Sequence, residues 1–215
     1  MNSRSNTIAN HFDKICLVLE SLGYLTGDGG RDVSEYGRML ARIYAELDLV
    51  TAECIRAGVF VGLTHPQLAA ILASLVFEAR RSEEAGRPPR MPDARSNAAM
   101  IEVRRIWHEV SLVERDARLD RAPEPDIGFS EAAYGWAAGR TLSAVLHGSD
   151  FTAGDFVRWI RQVADFAGQI ADAAGPGDLR DTARFLVHSM RRGVVSYAPE
   201  MDADEGDDLA GADLP

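Results

Sequence analysis

The residues with the best claim to chemistry lie in one stretch, "TAGDFVRWIRQVADF" at 152–166. Phe156, Trp159, Ile160, Val163 and Phe166 recur at helical spacing and form an apolar face. The other side carries Arg158, Arg161, Gln162 and Asp165. Arg158, Gln162 and Asp165 stand at i, i+4 and i+7, one stripe along a helix. A guanidinium can stack on a nucleobase or hold a phosphate, and an amide and a carboxylate can bond base edges. The same side chains also suit a plain solvated surface. Asp155 with Arg158 and Arg161 with Asp165 are spaced for local salt bridges worth about a few tenths of a kcal/mol. Periodicity alone leaves both readings open.

No other group of residues forms a catalytic constellation. His11, His65, His108, His147 and His188 are scattered without metal-ligand spacing, and His65 reads as a helix-start residue. Cys16 and Cys54 are far apart and read as small core residues, consistent with a reducing compartment. "GDGG" at 27–30 is followed by neither Lys-Ser/Thr nor an opening helix, so a hairpin turn fits it better than a phosphate loop. "DADEGDD" at 202–208 places Gly206 where a calcium loop needs a ligand and lacks the closing glutamate. The chain contains no Gly-x-Ser-x-Gly elbow, no Walker A lysine loop and no Asp-Glu-x-His motif.

The net charge of -10 is concentrated at one end. The last sixteen residues hold seven acids and no base, leaving 23 basic against 26 acidic residues elsewhere. Such a body argues against a large phosphate-tracking surface. Lys14 is the lone lysine, and the remaining basic residues are arginines, whose planar forks suit phosphate and base stacking. The segment 198–215 cannot bury enough apolar surface to order itself and is expected to be a disordered acidic tail. No apolar run approaches the ~20 residues of a membrane span, and the first residues have no signal-peptide h-region. A cytoplasmic protein without a membrane partner is expected.

These side chains must be positioned by helices. Residues 8–22 read as a helix with Ile8, Phe12, Ile15, Leu19 and Leu22 on one face, followed by a small hairpin returning toward Val33. Ser34 caps the next segment, which breaks into two helices near 47–50. Thr64 opens a helix with Gln67 in the capping-box position and Leu68, Ile71, Leu72, Leu75 and Val76 on its apolar face. A proline-rich loop follows, whose Arg87, Arg90 and Arg95 suit either solvent or nucleic acid. The longest helix is expected from Ala94 to about Arg121, with Met100, Val103, Trp107, Val110 and Ala117 inward and Pro123 and Pro125 ending it. Ser130 caps a short helix holding Tyr134 and Trp136, and a shorter helix follows. Thr152 and Asp155 form a capping box for the stretch at 152–166, and a last helix covers about 179–192. Trp136 and Trp159 read as core. The fold class is therefore all-α, a multi-helix bundle with a short N-terminal helix and hairpin and the acidic tail.

The order of these signals resembles the DSHCT domain, the C-terminal helical domain of superkiller-type DExH-box RNA helicases. The matching residues are Gly37, Arg38, Leu49, Glu53, Gly58, Phe60, Leu63, Pro66, Gln67, Leu68, Ala69, Ala70 and "VFEAR" at 76–80. Tyr134, Trp136, the turn at 139–142 and "GDFVRWIRQVADF" continue the match, which covers about 20–197 with an actinobacterial flavour. The resemblance implies the end of a winged helix at 1–34, a DSHCT-like helical domain at 35–197 and the tail at 198–215. It implies a fragment of an ATP-dependent RNA helicase, with the RecA-like motor domains and single-stranded RNA or DNA as partners. ATP and Mg belong to those motor domains; no cofactor is implied for this chain. The helix at 152–166 resembles the family's ratchet helix, with Arg158, Gln162 and Asp165 as contact positions and Arg161 beside them. Gln162 stands where relatives often carry a second arginine, which weakens the electrostatic grip. The alternative is a stand-alone helical module that docks protein and binds no nucleic acid.

Overall fold

The central element is α4, His65–Val76. It packs against four other helices: α5 (Ala94–Asp116), α6 (Ser130–Ala137), α8 (Ala153–Ala173) and α9 (Asp178–Met190). The computed structural model describes residues 2–30, 32–78 and 89–197, with the side chains of 2–7 and of 197 left aside. Among the described residues the architecture is ten α-helices, one 3₁₀ turn and a two-stranded hairpin, the all-α bundle expected. The remaining elements are α1 (Asn2–Ser21), β1 (Leu25–Thr26), β2 (Asp32–Val33), α2 (Glu35–Leu40), α3 (Asp48–Arg56), α7 (Leu142–Leu146) and α10 (Val194–Tyr197). The acidic tail and Arg87 lie outside the described residues. No described helix is long and apolar enough to cross a membrane.

Local signals set many boundaries. Ser34 caps α2, accepting from the Gly37 N–H at 3.0 Å while its hydroxyl donates to the Gly23 carbonyl at 2.8 Å. Gly37 is required by crowding: a Cβ there would collide with the Tyr24 carbonyl oxygen and crowd Val33. "GDGG" closes the hairpin in left-handed conformations at Gly27, Gly29 and Gly30, with Leu25 paired to Val33 and Thr26 to Asp32. At α4 the Thr64 N–H donates to Gln67 Oε1 at 3.0 Å, the backbone half of the capping box. At α8 the Asp155 N–H donates to Thr152 Oγ1 at 3.1 Å. Asp155 then accepts the Thr152 hydroxyl at 2.9 Å and not the Thr152 N–H, so this cap departs from a reciprocal box.

Four further expectations need correction. Helix α5 stops well before Pro123: Ala117 caps it and Arg118 turns left-handed at φ 57°, so backbone chemistry ends it. Ser130 does not cap α6; it is fully buried, and its hydroxyl donates to the Ala70 carbonyl of α4 at 2.8 Å. Asp126 caps that region instead, accepting from the Gly128 N–H at 2.8 Å. Cys54 is buried, and burial pushes its thiol up to about 12, but Cys16 is only half-buried. Finally, only one end of α1 reaches the core: Val18 is buried and Leu19 and Leu22 pack on it, while Ile8, Phe12 and Ile15 face outward.

The core is continuous from α3 to α9. Trp136 is buried and donates its indole N–H to the Met190 carbonyl at 2.9 Å. Its ring meets Phe156 edge-on at 5.3 Å. Arg192 lies 3.6 Å from the centroid of the same ring, tying the segment after α9 to α6.

Candidate nucleic-acid interface

Helix α8 divides cleanly into two faces. Phe156, Ile160, Val163, Ala164, Phe166, Ala167 and Ile170 are buried against α4 and α9. Burying a large side chain contributes about 1.5–3 kcal/mol, so this inner face fixes the helix firmly in place. The rotation of the outer face is thereby fixed as well.

The outer face presents Arg158, Gln162 and Asp165 to solvent. The Arg158 guanidinium lies 3.6 Å from Asp155, the i,i+3 pair expected, and sits 4.7 Å from the Trp159 ring centroid. Trp159 is half-buried and meets Phe77 edge-on at 4.9 Å, so it packs as expected and also backs the arginine. Asp165 accepts from Arg191 of the segment following α9 at 3.0 Å. Arg161 is half-buried and donates to the Val195 carbonyl of α10 at 3.3 Å, which turns it toward the bundle and away from the stripe. Gln162 faces a groove of about 380 Å³ whose walls include Tyr44, Glu46, Glu78, Glu124, Trp159 and Asp165. A hydrogen bond with Glu78, aided by burial, raises the Glu46 carboxyl above the usual carboxylate range. Four carboxyl groups on one groove oppose phosphate but can accept from base edges.

Periodicity extends this stripe further than the three positions singled out above. Gln169 and Asp172 continue it at i+11 and i+14 from Arg158, a span of about 21 Å at 1.5 Å per residue. Gln169 Oε1 accepts the Tyr44 N–H at 2.7 Å, and the Asp172 carbonyl accepts from Arg42 at 2.7 Å. The turn between α2 and α3 is thus clamped along the same row. Of the loop arginines, Arg95 donates to the Val61 carbonyl at 2.9 Å and Arg90 is exposed. Among the described residues no group of three or more His, Cys, Asp or Glu could hold a metal ion.

The family model for the DSHCT (NUC185) domain matches residues 30–198. The probable helicase HelY of Mycobacterium leprae is 37% identical over 202 residues, covering 89% of this chain and 22% of that protein. The Mycobacterium tuberculosis HelY is 36% identical over the same length. The ATP-dependent RNA helicase mtr4 of Schizosaccharomyces pombe is 26% identical over 189 residues, 84% of this chain and 16% of the relative. The chain therefore spans about a fifth of the length of the mycobacterial relatives. The sequence motifs, the helical bundle and these matches agree: the chain belongs to the DSHCT family of helicase-associated domains.

Proposed function

We propose that this chain is the helical accessory part of an ATP-dependent helicase, and that the outer face of α8 contacts a threaded single strand of RNA or DNA. The observation that carries the reading is the division of α8: a buried face locks the helix, and a polar row lies open along its length. Arg158 stacks or holds phosphate, Gln162 and Asp165 bond base edges, and Arg161 braces the row from the α10 side. The two ion pairs in the row are exposed pairs worth about 0–1 kcal/mol, so a strand can displace them at little cost. With Gln162 central and carboxylates beside it, the row suits bases better than phosphates. ATP and Mg act in RecA-like motor domains of the parent, which this chain braces.

The test is fluorescence anisotropy of the chain with a labelled single strand at low and moderate salt. Binding is expected at low salt and should weaken severalfold in Arg158→Ala. Unwinding by the intact parent should also fall when Arg158, Gln162 and Asp165 are replaced together. No binding at low salt, or unchanged unwinding, would overturn the assignment and favour a protein-docking module.

A further inference from the structure

The stripe on α8 ends against Tyr44, the most exposed large hydrophobic side chain among the described residues, with 77% of its surface in water. The backbone that carries it is nevertheless held in place. The Tyr44 N–H is held by Gln169 at 2.7 Å, and Arg42, two residues earlier, is held by the Asp172 carbonyl at 2.7 Å. Two bonds spanning more than a hundred residues of sequence thus fasten this short turn to the last turns of α8. A solvated aromatic ring carried on an anchored turn beside a polar row is an unusual use of apolar surface.

Tyr44 lines two depressions of opposite character. On one side lies the carboxylate-lined groove reached by Gln162 and Asp165. On the other lies a depression of about 490 Å³ lined by Arg42, Gln169, Asp172 and Arg180. Arg42 uses one donor on the Asp172 carbonyl, leaving most of its five N–H groups for other acceptors. The Arg180 Nε is buried without a hydrogen-bond partner among the described residues. Among the residues that line this depression, one carboxylate, Asp172, faces two guanidinium groups.

Resting on the α8 reading, we propose that Tyr44 is a base-stacking platform that extends the single-strand track beyond Gln162, with Arg42 and Arg180 holding the adjoining phosphate. The charge arrangement sets the orientation. Carboxylates on the groove side repel a phosphate, whereas the arginine side attracts one, so the backbone runs over Arg42 and Arg180 while the base lies on Tyr44. Stacking on an aromatic ring is tolerant of sequence, because every base has a π-face.

The experiment uses the 215-residue chain and a labelled single-stranded RNA at low salt, with a matching strand carrying abasic positions. Tyr44→Ala should lose about tenfold in affinity for the intact strand, within the range found for base–aromatic stacking, while Tyr44→Phe keeps it. On the abasic strand Tyr44→Ala should change nothing. Arg42→Ala and Arg180→Ala together should lower the slope of log affinity against log salt by about 0.7, as expected for one phosphate contact on a single strand. Thermal melts of each variant exclude misfolding, and Arg180→Gln, which removes the charge but keeps much of the side chain, serves where Arg180→Ala melts early. If Arg158→Ala weakens binding and Tyr44→Ala does not, the platform is overturned and the α8 reading stands. If neither does, both fall. Equal losses on intact and abasic strands overturn stacking, and unchanged salt slopes overturn the phosphate contacts.

Discussion

Helices α4 and α8 pack against each other, yet they meet water very differently. From Leu68 to Leu75 no residue of α4 is more than 3% exposed, so the helix is enclosed on all sides. Helix α8 is as well buried along Phe156, Ile160, Val163 and Ile170 but leaves Arg158, Gln162 and Asp165 in solvent. Any change on α4 is therefore read as stability. On α8, stability and binding can be read separately, because they belong to opposite faces.

The strongest way to break this contrast is Phe156→Ala on the inner face of α8. It should cost about 3–5 kcal/mol, as truncations of buried aromatics do, measured as a lowered urea midpoint. A cost below ~1 kcal/mol would mean that α8 is not anchored as described. A smaller effect is expected at the polar anchor of α4. Gln67 donates to Asp93 at 3.1 Å, and Asp93 also caps α5 by accepting the Ser96 N–H at 2.7 Å. Burial opposes the Asp93 charge, but these hydrogen bonds outweigh it and hold its carboxyl below the usual range. Asp93→Ala should cost about 1 kcal/mol at neutral pH. Because the folded pKa is depressed, the stabilisation is full above the unfolded value of about 3.9 and fades as pH falls through the folded value. The gap between variant and parent in denaturant midpoint should accordingly narrow in acid. The smallest stability change belongs to Arg158→Ala, within about 0.5 kcal/mol, since its ion pair is exposed. A large loss there would show that the outer face is structural.

What the sequence revealed was mostly local. The caps at Ser34, Thr64 and Thr152 and the two faces of α8 rest on residues three to seven positions apart, where helical spacing decides the outcome. The failures were long-range or conformational. Ser130 looked like a cap because nothing local shows that Ala70, sixty positions away, takes its hydroxyl. Arg118 ended α5 by adopting a left-handed conformation, which residue type does not advertise. The link between Tyr44 and Gln169 spans 125 residues and leaves no local signal, although the i+11 spacing of Gln169 from Arg158 is legible as helical periodicity. The apolar stripe of α1 was legible, but periodicity identifies a face without saying what covers it.

Arg56 gives this N-terminal region a mechanical meaning. It donates to the Leu22 carbonyl at 2.8 Å, pairs with Glu53, and lies 4.1 Å from the Tyr36 ring centroid and 5.2 Å from that of Tyr24. One guanidinium thus joins the end of α1, the hairpin, α2 and α3. Lys14, a third of the way from that end along α1, donates to the Arg118 carbonyl at 2.9 Å. Contacts at two separated points along a helix constrain its direction more than either does alone. The two contacts together set the heading at which the outlying half of α1 leaves the bundle, relative to α3 and to the end of α5.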